Sequence, residues 1–266
     1  MTQLRPAREA DYDDFARLFA ELGAPDPPPT RDKWRDEMAP ASVMAVRDER
    51  VVGCCYAQVF DDTGYVRILV TDASARRTGV GRTLMANAAT SFRAAGCTKW
   101  CLNVRPDNVP AVTLYRSLDM EVTHTRAALA IDWAAVERLP ASDRDTRVVL
   151  DASFDAQTEA RFSLHRGQLG VARTLPGRVI VTLLAATSDE VVAVAVFDRS
   201  FPCAAEFRVA APELARPLLQ AIRPHARPGD LQAKMVLFDR EGAEAALVAA
   251  GGVVRMRTLH LVGPLG

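Results

Sequence analysis

A run of strand character over residues 65–71 passes into Arg76-Arg77-Thr78-Gly79-Val80-Gly81, and a helical repeat begins at once. Val80, Leu84, Ala88 and Phe92 recur every four residues and so share one helix face, and Gly96 marks the stop. This junction constrains the chain more than any other segment. The first N–H groups of a helix have no partner within it and sit at the positive end of its dipole. Glycines at 79 and 81 clear side chains from a close approach, and Arg76, Arg77 and Arg82 add positive charge. The pattern suits a phosphate or pyrophosphate. No Gly-Lys-Ser/Thr follows, and only two of the three glycines of a dinucleotide fingerprint are present, so those two nucleotide loops are excluded.

The elements around the junction read in a definite order. Residues 4–7 form a strand, followed by a helix whose Tyr12, Phe15, Phe19 and Leu22 share a face. Pro25 and Pro27-Pro28-Pro29 stiffen a loop, and a second short helix surrounds Trp34. Strands at 42–47, 51–60 and 65–71 are joined by Asp48-Glu49-Arg50 and Asp61-Asp62-Thr63-Gly64. After the helix from Val80 come a strand at 99–104, a helix from Asn108 through Leu118, and a long strand at 121–131. These residues, 1–131, make one α/β domain of ordinary length. Residues 132–146 read as a linker. Residues 147–266 repeat the element order more faintly, with strands at 179–184, 191–198, 204–209, 234–238 and 253–261 and helices at 214–222 and 241–250.

Thirty-three basic residues balance thirty-three acidic ones, which argues against broad nucleic-acid binding. No apolar run has the length of a membrane helix, and the first residues lack the apolar stretch of a secretory signal. Five cysteines, two of them adjacent at 54 and 55, form neither a disulfide framework nor a zinc pattern. Reduced thiols and a cytoplasmic location are the expectation. The histidines at 124, 165, 225 and 260 have no metal-ligand spacing, so no metal is expected.

Several motifs, in order, resemble the GNAT acetyltransferase superfamily. They are Arg76-x-x-Gly79-x-Gly81 after Ile68-Leu69-Val70-Thr71, then Leu102-Asn103-Val104-Arg105-Pro106-Asp107-Asn108, then Ala111, Leu114, Tyr115 and Leu118. Leu4-Arg5-Pro6-Ala7 and Asp11 look like the family's opening. The resemblance spans residues 2 to about 131. It implies a GNAT-like mixed, mostly antiparallel sheet flanked by helices, followed by a second, smaller GNAT-like domain.

The resemblance also implies acetyl-CoA, or a related acyl-CoA, in a V-shaped gap between the strands at 65–71 and 99–104. Backbone of Leu69, Val70 and Thr71 would pair with the pantetheine arm. Arg76, Arg77, Thr78, Gly79, Val80, Gly81, Arg82 and Thr83 would hold the pyrophosphate. Asn108 matches an asparagine that contacts the cofactor arm and also suits a helix cap before Pro110. Tyr115 would protonate the departing thiolate, and a backbone N–H near Leu69 or Val70 would steady the oxyanion. The implied reaction is direct transfer of an acetyl group to a primary amine, from a small molecule or a peptide, in a ternary complex. The alternative is a non-catalytic acyl-CoA-binding sensor or scaffold, because Tyr65 stands where many members carry a glutamate base. Asp61 and Asp62 could supply that base or simply occupy a solvated turn. Ala73 replaces a usual proline, and Asp119 a usual glycine, both at some cost in local stability.

The second half lacks the cradle. Only Ala210-Ala211-Pro212-Glu213 separates its third strand from the next helix, and all four tyrosines and all three asparagines lie in the first half. It resembles the degenerate copy of tandem GNAT proteins, structural or substrate-shaping, and should not bind CoA. A monomer or a homodimer fits such a pseudo-dimeric chain. Trp34 is expected either to line a substrate pocket or to sit in the core.

Overall fold

Strand β3 decides how its sheet is covered. It is buried continuously from Val51 through Tyr56, and successive side chains of a strand point to opposite faces, so both faces need cover. Val52 and Cys55 belong to one apolar cluster, Cys54 and Tyr56 to another. The computed structural model describes residues 2–151, 155–238 and 242–266. Its backbone forms two units, Met1–Thr123 with Leu259–Gly266, and His124–Thr258.

The first unit runs β1 (Gln3–Pro6), α1 (Tyr12–Ala20), α2 (Arg31–Lys33), β2 (Ser42–Arg47), β3 (Arg50–Phe60), β4 (Thr63–Thr71), α3 (Val80–Ala94), β5 (Lys99–Val104) and α4 (Val109–Arg116). Helix α2 continues into a π-helical stretch, Trp34–Met38. The strands lie in sequence order, antiparallel except for the parallel pair β4 and β5. One face carries Val80, Leu84, Met85 and Phe92 of α3 with Tyr115 of α4. The other carries Phe15, Leu18, Trp34 and Met38. Gly64 allows α3 to approach β4, because a Cβ there would lie 2.3 Å from the Phe92 ring. The far edge of β5 is closed by the chain's final strand, with Leu259 opposite Val104 and Pro264 opposite Lys99.

The second unit runs β6 (Glu121–Asp132, from His124), β7 (Thr146–Leu150), α5 (Asp155–Arg161), α6 (Gln168–Thr174), β8 (Arg178–Ala185), β9 (Val191–Asp198), β10 (Cys203–Val209), α7 (Ala215–Ile222), β11 (Gln232–Leu237), α8 (Ala243–Ala249) and the first half of β12 (Val253–Pro264). Its strand order is β6-β11-β10-β9-β8-β7, antiparallel except for the parallel pair β10 and β11. Both units are therefore mixed α/β, with one mostly antiparallel sheet flanked by helices, and they are nearly equal in length.

Three features depart from the reading of the sequence. The expected division was 1–131, 132–146 and 147–266, whereas residues 127–132 of β6 pair with β11 of the second unit and residues 259–264 of β12 pair with β5 of the first. Each unit thus takes its last strand from the other half of the sequence. The expected linker is partly core: Trp133, Val136 and Leu139, three residues apart, face one side of a 3-10 helix over Trp133–Arg138 and its following residue and pack in the second unit. Strand β7 and the seven-residue helices α5 and α6 had no reading at all. The expected helix at 241–250 is found as Ala243–Ala249, and Glu241 lies outside the described residues.

Candidate active site

The site begins with a bulge. On β4, Ile68 lies opposite Tyr56 and Val66 opposite Ala57, which leaves Arg67 as an extra residue. Such a bulge bends its strand and increases its twist. The parallel pairing of β4 with β5 ends immediately, at Val66 opposite Leu102, although the strands continue to Thr71 and Val104. Beyond this apex the strands splay, so the β5-facing backbone of Leu69, Val70 and Thr71 is left without a strand partner on that side. Cys54 opposite Val70 and Cys55 opposite Leu69 secure the other edge.

Asp72 shapes the turn that follows. Its Oδ1 accepts from Ser74 N at 2.9 Å and Ser74 Oγ at 2.6 Å, while Oδ2 accepts from Arg17 and, at 3.0 Å, from Arg50. The Ser74 hydrogen bonds, with the two guanidiniums, hold this carboxyl down at about 2. Ala73 takes the first place of the 3-10 turn Ala73–Ala75, where Asp72 does the capping. Two left-handed residues, Arg77 at φ +63° and Gly79 at φ +90°, then carry the chain into α3. Thr83 N is the first α3 donor to find a helical acceptor, Gly79 O at 3.0 Å. The N–H groups of Val80, Gly81 and Arg82 precede it and have no partner within the helix.

The cradle residues are brought together and open to solvent. Arg76, Arg77, Thr78, Gly79, Arg82 and Thr83 are exposed, whereas Val80 is buried and anchors the turn. Arg76 pairs with Glu21 at 2.7 Å and Arg82 donates to Ser117 Oγ at 3.0 Å. A Cβ on Gly81 would meet Leu114 at 3.5 Å and Thr71 Oγ1 at 3.7 Å, so the ends of β4, α3 and α4 converge here. Asn108 caps α4, its Oδ1 accepting from Ala111 N at 3.3 Å, and it is exposed.

Tyr115 is buried in the same apolar cluster as Cys55, Val80 and Leu84. Helix α4 ends around it in a Schellman motif: Met120 N donates to Tyr115 O at 3.2 Å and Asp119 N to Arg116 O at 3.1 Å. Asp119 has φ +57°, the conformation for which glycine is favoured. Burial, with Cys55 close by, pushes the Tyr115 phenol above its ordinary value of 10.0. Burial likewise raises the Cys55 thiol to about 12, which keeps it protonated and unreactive.

Polar groups on the α1 face of the sheet escaped the sequence reading. Tyr65 is buried and its hydroxyl accepts from Asn103 Nδ2. Asn103 Oδ1 lies 2.9 Å from His260 Nδ1, which joins the imidazole to the same network. Cys101 Sγ and a ring nitrogen of His260 lie within 4.8 Å of each other. Tyr56 donates to Glu37 Oε1 at 3.0 Å and accepts from Gln58 at 2.8 Å, while Lys33 pairs with the other Glu37 oxygen. Only the four-residue spacing of Lys33 and Glu37 hinted at this cluster. Trp34 is a core residue, stacked on Phe15 at 4.5 Å with its Nε1 donating to Arg8 O and Glu9 O. Asp62 is occupied at the turn by Thr63 and Lys99.

A splayed parallel pair beside an open helix start, in a mixed sheet of this order, is the arrangement that the resemblance in the sequence implies. Residues 8–120 match the sequence profile of the Acetyltransferase (GNAT) family. No curated protein matches the sequence. A GCN5-related N-acetyltransferase from Sphaerobacter thermophilus shares 14% identity over 99% of this chain and 96% of its own, with a TM-score of 0.68. A tandem GNAT protein of the clavulanic acid biosynthesis pathway shares 16% identity over 100% of this chain and 99% of its own, with a TM-score of 0.63. At such identities the likeness is one of fold. Residues 8–120 thus match the GNAT acetyltransferase family model, and the whole chain shares the fold of the tandem GNAT protein.

Proposed function

We propose that the first unit is an N-acetyltransferase that moves an acetyl group from acetyl-CoA to a primary amine on a small molecule or a peptide. The observation that carries this reading is the coincidence of the β4/β5 splay with the unpartnered start of α3. The residues present fit the cosubstrate: three N–H groups, Arg77 and Arg82 suit its pyrophosphate, and the β5-facing backbone of Leu69–Thr71 suits an amide-containing arm. Asn108 keeps its amide nitrogen for the same arm while its oxygen caps α4. The bound thioester supplies an electrophilic carbonyl and a thiolate leaving group.

The chain's own groups do the rest. The bulge at Arg67 turns backbone N–H groups away from ladder pairing, so they can face a carbonyl oxygen. Tyr115 holds a proton that burial keeps in place at neutral and mildly alkaline pH, and donates it to sulfur. Direct attack by the amine is expected, since both adjacent thiols of β3 are buried and protonated.

Calorimetric titration with acetyl-CoA should show one site per chain. Tyr115→Phe should keep that affinity and lower kcat with an accepted amine by roughly 10²–10⁴-fold, the range for a general acid. Binding with no turnover on any amine, unchanged by Tyr115→Phe, would favour the second reading, a non-catalytic acyl-CoA sensor. That reading is motivated by Tyr65, which puts a phenol held by Asn103 where a carboxylate base would stand.

A further inference from the structure

The C-terminal part of α1 and the residues that follow it are tied to both arms of the splay. Arg17 donates to Asp72, just past β4, and to Val51 O at 2.8 Å. One turn further on, the Glu21 carboxylate takes Arg76 at 2.7 Å. Two residues later Gly23 O accepts from Arg105 Nη1, just past β5, at 3.3 Å. Gly23 has φ +61°, and a Cβ there would lie 2.9 Å from Arg105 Nη1, so the guanidinium packs directly against the glycine backbone. Residues 17–23 therefore run as a strap from the end of β4 to the end of β5. The prolines at 25 and 27–29 stiffen the chain beyond it, and Tyr12 donates to Pro29 O at 3.0 Å.

The two ties differ in what they occupy. Arg105 reaches a backbone carbonyl and also pairs with Asp107, and neither partner belongs to the cradle. The tie at Glu21 takes a cradle cation. Arg76 leads the run 76–83 and meets a carboxylate, whereas Arg82 rests on the neutral Ser117 hydroxyl. A carboxylate on a guanidinium uses the charge and the N–H donors that a phosphate would use. The Arg76 and Glu21 side chains are 52% and 36% exposed, so water screens the pair and exchanging one anion for another costs little.

We propose that Glu21 is an internal competitor for the cradle: its carboxylate and the pyrophosphate of an acyl-CoA take Arg76 in turn. The inference rests on the acyl-CoA site proposed above and adds to it a built-in brake on affinity. Acetyl-CoA and the CoA product are both held less tightly than the cradle would hold them without Glu21. As CoA leaves, Glu21 takes Arg76 back, which eases release. The N–H groups at the start of α3, with Arg77 and Arg82, supply the part of the hold that does not change hands.

A double-mutant cycle tests this, read by calorimetric titration of acetyl-CoA into the full chain. Glu21→Gln keeps the shape of the side chain and removes its charge. It should tighten acetyl-CoA binding roughly two- to fivefold, the range that an exposed ion pair spans. Arg76→Gln should weaken binding, and in that background Glu21→Gln should lose most of its gain. Arg105→Gln cuts the other tie without touching the cradle and should leave the affinity unchanged. All three side chains are more than a third exposed, so each variant should melt as the wild type does. No gain from Glu21→Gln would overturn the proposal, as would a gain that persists in full beside Arg76→Gln. An equal gain from Arg105→Gln would also overturn it, by making mobility of the strap the cause. Each of these results leaves the acyl-CoA site standing, because the wild-type chain still binds. Absence of acetyl-CoA binding in the wild type and in Glu21→Gln alike would overturn the acyl-CoA reading and this inference with it.

Discussion

Tyr115 has the two properties that a proton donor to a leaving thiolate requires. It is buried enough to stay protonated, and it lies in the layer where β3, α3 and α4 meet. Because the folded phenol titrates above its ordinary value, activity should not fall on the alkaline side near pH 10 on account of this group. A pH–rate profile of the wild-type chain showing loss of kcat well below that value would implicate another group. Two glycines separate fold from binding at the same site. Gly79 has φ +90° with open space around it, so Gly79→Ala strains backbone and should cost about 1 kcal/mol of stability. Gly81 has no such strain, and its added Cβ would make ordinary contacts at 3.5 and 3.7 Å. Gly81→Ala should therefore leave the melting temperature nearly unchanged while weakening acetyl-CoA binding, as a methyl group enters the space beside the open N–H groups. Equal affinity in Gly81→Ala and wild type would place the pyrophosphate elsewhere.

At the scale of elements, the loop between β4 and α3 owes its shape to Asp72, a residue that no motif singles out. The arginine and glycine pattern of 76–81 was legible because all of it is local, within one strand–turn–helix junction. The capping of Ala73–Ala75 by Asp72 involves Arg17 of α1 and Arg50 of β3, partners that only the folded sheet brings near. The same holds for Tyr65, Asn103 and His260, since the last two are 157 residues apart in the chain. Helices α5 and α6 were missed because seven residues give barely two turns of periodicity. Asp72 also gives the loop a pH dependence of known sign. Its folded value, about 2, is below the ordinary carboxylate value of 3.8. The stabilisation is therefore complete above that ordinary value and is lost as pH falls through about 2. Asp72→Ala removes the cap and leaves two guanidiniums without it, and should cost about 1–2 kcal/mol at neutral pH, with acetyl-CoA affinity falling as the loop loosens. Thermal denaturation of both proteins at pH 7 and pH 2 checks this: the difference should shrink sharply at the lower pH.

For the whole molecule, local pattern predicted two similar α/β units and could not say which strand completes which. Strand β6 follows α4 directly in the chain, and proximity in sequence made it the natural closing strand of the first sheet. Its residues 127–132 instead lie beside β11, and the edge of β5 is taken by Leu259–Pro264. An apolar alternation such as Leu259, Leu261 and Leu265 specifies a buried face but not the strand it will join. The consequence is that the first unit's site depends on the last residues of the chain. Leu261 is fully buried and Leu265 nearly so, both in the cluster that holds Tyr115 and Leu102. Leu261→Ala should destabilise by about 2–5 kcal/mol, as for other buried leucines. Removal of residues 259–266 would expose the β5 edge and strip His260 from Asn103. Such a truncated chain should lose acetyl-CoA binding although every cradle residue from Arg76 to Thr83 is intact. Adding the missing segment back as a peptide should restore part of that binding, because the β5 edge it pairs with lies in the first unit. Retained full affinity in the truncated chain would mean that β5 needs no partner on that edge, and that the first half of the sequence folds as a self-sufficient unit.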